Sequence, residues 1–588
     1  MRLKLLSVFI FFSVCVFATH ERGGYITYTP MGSGVYKFHI YTWTNFTPAN
    51  SGSDRCDLTL FIDGTDTVNC PRINGTGPCP NGGIGVDGVM IVPASGNYGG
   101  IKENVYEGFY TLLPGMHTFA IVDPNRDANI INVPNSVSRS FALMDTLFLY
   151  NTVDGMFNTA PVVNYAPVDN ACQGQPFCYN PGVTEIDGDS LDFSIAKSYE
   201  GDPNNSMGVS LMNNETIPSG ITIDKHTGLL CWNSPQSQGE YVISILVREY
   251  RRDPKNCGHV YMISETILDF PVLVKVCNST NITFTTSLQN ACVVAGTTLT
   301  LQANASGATN IISPVSISAV GLPLTSMSIG NNATFTYTST GFSASGNFNW
   351  TPSCSAVQLN PYPVTIRAFD ASLPPNANYS SLLVKVISPP PVNLTATNLG
   401  TSVALSWNAP PNCNQTSGDT VQNYYVYRVD SCVNFIPSSC QTGVPANAGY
   451  LHIGTTPSSV TTFTDTNVPP TNMCTYIVAA GFENCSMSKA TPGACVVTGI
   501  ENNFLNENIS LFPNPTTGNI NLKITLQNPG NLKISISNTL GQEVFSKTEN
   551  NVSNNIFEYD LSKLNRGIYF ATICSDNTKV IVRKISVE

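Results

Sequence analysis

The residues able to do chemistry in this chain are few and scattered. A Gly-x-Gly-x-x-Gly run stands at Gly83, Gly85 and Gly88. Dinucleotide binding needs a strand before such a run and a helix after it, whose N-terminal amides face the pyrophosphate. Here Pro78-Cys79-Pro80 precedes and Val89-Met90-Ile91-Val92-Pro93 follows, which predicts a Gly-rich surface loop. Gly341-Phe342-Ser343-Ala344-Ser345-Gly346 fails the spacing of a nucleophile elbow. The six histidines (His20, His39, His117, His226, His259 and His452) are dispersed, with no His-Glu-x-x-His pair for zinc. Glu185-Ile186-Asp187-Gly188-Asp189 sets carboxylates around a turn. Hard Ca2+ favours such oxygen groups, but Asp side chains in a turn also cap its backbone. The twelve-residue EF-hand pattern is missing, so capping is the preferred reading. Ca2+ at Asp187 and Asp189 is the alternative, and it is the only cofactor suggested. Paired carboxylates of the glycosidase kind converge only in space. With no catalytic motif, the chain reads as a non-enzyme.

The 18 cysteines make a second set. Apart from Cys15 they fall into groups: Cys56, Cys70, Cys79; Cys172, Cys178, Cys231, Cys257, Cys277; Cys292, Cys354; Cys413, Cys432, Cys440, Cys474, Cys485, Cys495; and Cys574 alone. No Cys-x2-Cys pair suits zinc, so disulfides in an oxidising compartment are expected. The third and fourth groups are even and could close internally, with Cys292–Cys354, Cys432–Cys440 and Cys485–Cys495 as pairings. The first two groups are odd, so either a bridge joins them or two thiols stay free. Cys574 is expected to be unpaired.

Composition narrows what these residues serve. Charged residues are 11% of the 588, where about 25% is usual. There are 28 Lys+Arg against 39 Asp+Glu, a net charge of −11. An acidic chain lacks the basic surface that nucleic-acid binding requires. Low charge also excludes a coiled coil, and 42% hydrophobic residues exclude charge-driven disorder. Asn, Thr, Ser, 45 Gly and 39 Pro fill the difference.

The elements are strands. Short runs rich in Val, Ile, Tyr, Phe and Thr, such as Tyr36–Tyr41, Tyr241–Val247, Pro363–Phe369 and Tyr424–Val429, are punctuated by Gly, Pro, Asn and Asp. No segment shows helical periodicity over three turns. Met1-Arg2-Leu3-Lys4, the apolar run Leu5–Phe17 and Val16-Phe17-Ala18 match a secretory signal peptide cleaved between Ala18 and Thr19. No other segment approaches the length of a membrane-spanning helix. Linkers at Asn158–Pro161, Asn278–Asn281, Pro389-Pro390-Pro391 and Thr498–Asn508 divide the rest. The expected organisation is a signal peptide (1–18), an N-terminal β domain (19–157), an Ig- or cadherin-like domain (158–277) and an Ig-like domain (278–390). A fibronectin type III domain (391–497), a linker (498–508) and a small β domain (509–588) follow. The fold class is all-β, with tandem β-sandwich modules in an elongated array.

The last domain is the most informative. It reads Phe512-Pro513-Asn514-Pro515-Thr516-Thr517-Gly518, then Ile534-Ser535-Ile536-Ser537-Asn538-Thr539-Leu540-Gly541-Gln542, then Arg566-Gly567-Ile568-Tyr569, and closes with Arg583-Lys584. Pro-Asn-Pro and Thr-Thr-Gly predict stiff turns, Leu-Gly-Gln a hairpin turn, and Ile534 and Ile536 an inward face. The set closely resembles the type A C-terminal sorting domain of the type IX secretion system of Bacteroidota, carried on Pro513, Asn514, Pro515, Gly518, Asn538, Gly541, Gly567, Tyr569 and Lys584. The resemblance implies periplasmic export, then passage through the type IX translocon. It further implies removal of the domain by a sortase-like peptidase near 498–508, with the passenger left at the outer cell surface or released.

Three further resemblances are carried by other segments. Val403–Trp407, Asn423–Arg428 and Tyr476–Ala480 resemble a fibronectin type III domain, with Trp407, Tyr425 and Tyr476 expected inside. Glu185–Leu191, Ile221–Asp224, Thr227–Trp232 and Gly239–Ile243 resemble a bacterial Ig- or cadherin-like module. Thr19–Tyr28, Asp123–Arg126 and Ile131–Ser136 are similar to the N-terminal region of large Bacteroidota surface proteins associated with gliding motility. Together they imply a non-enzymatic surface protein contacting an extracellular glycan, matrix or protein ligand. A secreted glycan-directed enzyme with accessory modules, or a structural stalk component, are the alternatives.

Overall fold

The computed structural model describes residues 21–46, 55–79, 85–93, 100–124, 126–150, 157–202, 205–253, 256–277, 282–286, 289–307, 314–325, 331–371, 376–411, 413, 421–433, 435–469, 473–497, 509–575 and 580–588. The signal segment with Ala18 and Thr19, the 498–508 linker, and Gly83 of the glycine-rich run lie outside the described residues. The regular elements of the described chain are strands, with a few 3-10 turns, and no helix in it is long and apolar enough to cross a membrane. The segment after Gly88 is the strand Val89–Val92, and a strand offers no helix terminus for a pyrophosphate.

The chain forms two compact units. The larger comprises Met1–Pro389 with the short segments Asn412–Val421 and Phe482–Ser488. Its centre is a 14-stranded sheet drawn from both sides of residue 157. The long hairpin Gly239–Arg252/Val260–Lys275 does the joining: Val260–Lys275 pairs with Glu21–Gly32 at Gly24↔Asp269 and with Phe141–Leu149 at Ser264↔Leu147. Gly23 and Gly24 allow this approach, because a side chain at Gly23 would collide with the Asp269 carbonyl oxygen and one at Gly24 with that of Tyr41. The sheet carries a core on each face. Tyr25, Trp43, Phe270 and Val272 point to one, and Ile26, Phe38, Ile263 and Ile267 to the other. That is why these strands read as near-continuous apolar runs.

Residues 282–388 of this unit are two four-stranded sheets around Trp350, whose ring stands 5.3 Å from Tyr362. They are tied to the preceding module by side chains. Arg367 Nη2 donates to Asp169 Oδ1 at 2.7 Å, Tyr379 OH donates to the other Asp169 oxygen, and Asn180 Nδ2 donates to Ser381 Oγ at 2.9 Å.

The smaller unit comprises Pro390–Pro411, Gln422–Gly481 and Lys489–Glu588. Its first part pairs Val392–Asn398, Val403–Asn408 and Thr462–Asp465 in one sheet. The second sheet orders Leu451–Pro457, Val421–Val429, Met473–Phe482 and Ala494–Val497. Trp407 and Tyr476 are inside as expected, but the third ring is Tyr424, 5.5 Å from Trp407; Tyr425 is half-buried and faces His452. Successive strand residues point to opposite faces, so a register one residue off exchanges the two tyrosines. The second part is a five-stranded sheet in which Ile534 and Ile536 lie in the core.

The disulfides correct several pairings. Cys56–Cys79, Cys172–Cys277 and Cys178–Cys231 stay within their groups. Cys354 bonds Cys413 rather than Cys292, Cys257 bonds Cys485, and Cys432 bonds Cys495. Neither Cys432–Cys440 nor Cys485–Cys495 forms. Bridging needs Cα atoms about 4.4–6.8 Å apart, and the fold brings residues distant in sequence to that range: 5.5 Å for Cys432–Cys495 and 5.7 Å for Cys257–Cys485, whose cysteines both stand in turns between strands. Cys70 remains a buried thiol, with burial pushing its pKa up to about 12. Cys440 and Cys574 are also thiols.

Candidate functional site

The turn at 185–189 follows from its sequence. Gly188 has φ 87°, a left-handed conformation that suits glycine. Glu185 reaches over the turn, accepting from the Asp187 N–H and, at 2.7 Å, from the Asp189 N–H. Asp189 is held in a two-pronged pair by Arg251, Nε to Oδ1 at 2.7 Å and Nη2 to Oδ2 at 2.6 Å. The same Nη2 lies 3.5 Å from Asp187 Oδ2, which accepts the Thr159 N–H at 2.6 Å. Arg251 also donates to Phe157 O and Asn158 Oδ1, and Asn158 passes the chain of bonds to Glu249.

Asp189, Asp187 and Glu185 thus share one guanidinium, and Glu249 is reached only through Asn158. Burial, reinforced by Asp189 and Glu249, holds the Glu185 acid well above the usual carboxylate range. Burial pushes Glu249 up to about 8 against bonds from Ser264 and Asn158, with Asp189 and Asp187 adding to the rise. Burial would lower the Arg251 pKa, but its bonds and charge contacts with Asp189, then Asp187 and Glu185, outweigh that and keep it raised. Glu185, Asp187 and Asp189 each bring a ligand oxygen within 4.8 Å of the others. Their oxygens already serve Arg251 and backbone N–H groups, so Ca2+ would have to displace the guanidinium to bind there.

Beside the turn lies a cavity of about 380 Å³ within the larger unit. Glu185, Gly188, Asp189 and Ser190 line it from the Ig-like module. Gln358, Asn360 and Tyr362 line it from the following module, and Leu191, Leu322 and Leu383 add apolar surface, with His226 also present. Asn360 Nδ2 donates to Gly188 O at 3.1 Å, joining the two sides. The sequence signals Glu185, Asp187 and Asp189 but not Arg251 or Glu249; the charges of Arg248–Arg252 inside an apolar strand are the available sign. Gln358 and Asn360 carry no local signal.

The residues of the C-terminal motif are brought together at strand ends. Asn514 Nδ2 donates to Lys584 O at 2.6 Å, and Asn514 Oδ1 accepts the Ser586 N–H at 2.8 Å, extending the edge of the last strand, Val580–Val587. Both X-Pro bonds around it, Phe512-Pro513 and Asn514-Pro515, are cis. Thr516 Oγ1 accepts the Gly518 N–H, and Gly518 O accepts the Leu561 N–H. Asn538 Oδ1 accepts from the Leu540 and Gln542 N–H groups around Gly541, whose φ is 80°. Tyr569 OH donates to Asn565 O at 2.8 Å, just before Gly567.

The fold and these sites define an all-β tandem-sandwich protein closed by a small β domain. Residues 510–588 match the family described as "Secretion system C-terminal sorting domain" and residues 175–252 the family described as "Putative Ig domain". The chain thus carries a C-terminal sorting domain of the type IX pathway, which indicates export to the cell surface or extracellular space, together with an Ig-like domain. A comparison with curated proteins finds no match. Among solved structures, a three-Ig titin fragment is 12% identical and covers 58% of this chain and 98% of its own, at a TM-score of 0.20. A two-domain fibronectin type III segment of chicken tenascin is 14% identical, covering 34% and 99% at 0.14. The human Desmocollin-1 ectodomain is 11% identical, covering 80% and 92% at 0.16. At such scores these likenesses carry no argument about function.

Proposed function

We propose that this protein reaches the outer surface of a Bacteroidota cell and there contacts an extracellular glycan or protein without catalysing a reaction. The observation that supports this most is the cavity between the two tied modules: carboxylates and amides set over apolar surface suit a held polar ligand. Its two carboxylates are engaged by Arg251 and backbone N–H groups rather than free to transfer protons. Export would use a signal peptide cut between Ala18 and Thr19. The 509–588 domain would address the translocon and be cut within 498–508 by a sortase-like peptidase. Glycan and protein arrays probed with the full chain and with Leu322→Trp, which fills the cavity, test the reading. Binding lost in the variant is expected; no binding by the wild type would overturn it.

A glycan-directed enzyme is the second reading, favoured by Asp127 and Glu240. Asp127 is pushed well above the usual range by burial and by Glu240, while Arg22 bonds Asn45, which in turn bonds Asp127. Polysaccharide hydrolysis abolished by Asp127→Asn would establish it.

A further inference from the structure

We propose that Cys257–Cys485 and Cys354–Cys413 form a covalent by-pass around the paired sheets of 392–497. A chain break within those sheets, even with their fold lost, then leaves the larger unit joined to the segment after Val497. The inference uses the connectivity of the bridges alone and does not depend on the cavity holding a ligand.

The chain leaves the larger unit at Pro389 and runs on into the sheets of the smaller unit. Twice on the way a short segment is returned to the larger unit, at Asn412–Val421 and at Phe482–Ser488. A bridge fixes each return. Cys413 bonds Cys354, in the 3-10 turn Cys354–Ala356. Cys485 bonds Cys257, in the turn between Gly239–Arg252 and Val260–Lys275. The second return is also held by Asn484 Nδ2, which donates to Val357 O at 2.7 Å. Along the backbone, 390–497 lies between the larger unit and the linker; from Cys485 only Ser486–Val497 does. Cys178–Cys231, by contrast, joins directly paired residues of one sheet and opens no such route.

The routes overlap, which makes the by-pass complete. Cys257–Cys485 closes a loop with a sequence separation of 228 and so spans any break from 258 to 484. A break in 486–494 is spanned by Cys432–Cys495 and Cys354–Cys413 in series, through the backbone of 413–432. Any single break between Val392 and Ala494 therefore leaves one covalent molecule. A disulfide keeps its two Cα atoms within bridging range whether or not the enclosed chain is folded, so the joint outlasts the hydrogen bonds around it. Exposed turns are where proteases nick a folded chain. Leu399-Gly400, in the turn between Val392–Asn398 and Val403–Asn408, is one of them, with Leu399 60% exposed. The by-pass makes such a nick silent.

The test is a cut at one defined place in the full chain. A recognition sequence for a site-specific protease is inserted after Gly400, where a side chain would meet nothing within 4 Å. After cleavage, electrophoresis in denaturant is expected to show one species of full mass without reductant and two pieces with it. Two pieces without reductant would overturn the by-pass. Replacing one pair, Cys257→Ser with Cys485→Ser or Cys354→Ser with Cys413→Ser, should leave the cut chain joined, because the other bridge still crosses the site. Separation on loss of a single pair would overturn the two-bridge route. Replacing both pairs should part the pieces completely. Pieces that stay joined would show that a different bridge crosses the site, which overturns the assignment. The chain with all its cysteines decides the matter by itself where a variant folds poorly.

Discussion

The larger unit and the C-terminal domain place their polar groups in opposite ways. In the larger unit charges are inside: Arg126 and Asp269 are both at 0% side-chain exposure and 143 residues apart, and Arg251 and Arg367 hold buried aspartates in the same manner. The core of the C-terminal domain, from Ile509 to Val587, is built of aliphatic and aromatic side chains, with no buried ion pair among the described residues. Its motif side chains sit at turns and strand ends, closing backbone groups. A buried ion pair is sensitive to loss of one partner and to pH, whereas an apolar core with capped ends responds to neither. The larger unit and the C-terminal domain should therefore unfold under different control.

The largest expected effect is from Arg126→Met. It leaves Asp269 buried without its cation and should lower the larger unit's stability by about 3–5 kcal/mol. In urea unfolding followed by circular dichroism, the C-terminal domain's transition should stay in place. Equal shifts of both transitions would break the contrast.

Next is pH. Glu249 keeps its proton to about 8 when folded, against about 4.3 in an unfolded chain. The folded state binds the extra proton in between, so this contribution is complete below the unfolded value and lost as pH rises through 8. The larger unit should lose roughly 2 kcal/mol between pH 6 and 8. Glu249→Gln keeps the acceptor for Asn158 and Ser264 and should remove this slope; a slope retained in the variant would assign it elsewhere.

A smaller effect belongs to Asn514→Ala. It removes two exposed hydrogen bonds to the last strand and should cost the C-terminal domain about 1 kcal/mol, with the larger unit unaffected. Smallest is Ca2+: because Arg251 holds the centre of the 185–189 turn, melting temperatures in Ca2+ and in chelator should agree. A clear rise with Ca2+ would show that the ion displaces the guanidinium.

The same contrast decides which features are legible in the sequence. The C-terminal motifs announce themselves because each side chain serves a nearby turn or an adjacent strand, as Asn538 does for Leu540 and Gln542. Strand identity and the inward Ile534, Ile536 and Trp407 follow from alternation. Tyr424 escapes it because alternation leaves the register free by one residue. The bridges of Cys257 and Cys354 escape because spacing along a chain says little about which loops meet. The 158–161 linker hides the return of Val260–Lys275 into the N-terminal sheet, since nothing local records a pairing across more than a hundred residues. The cavity is the least legible, being assembled from residues 184–226 and 322–383.

That the two regions separate address from contact is tested most directly by mass spectrometry of both mature termini in the surface and released fractions of the producing cell. The expected product is a chain beginning at Thr19 and ending within 498–508, with 509–588 absent. A chain retained inside the outer membrane with Glu588 still in place would contradict it.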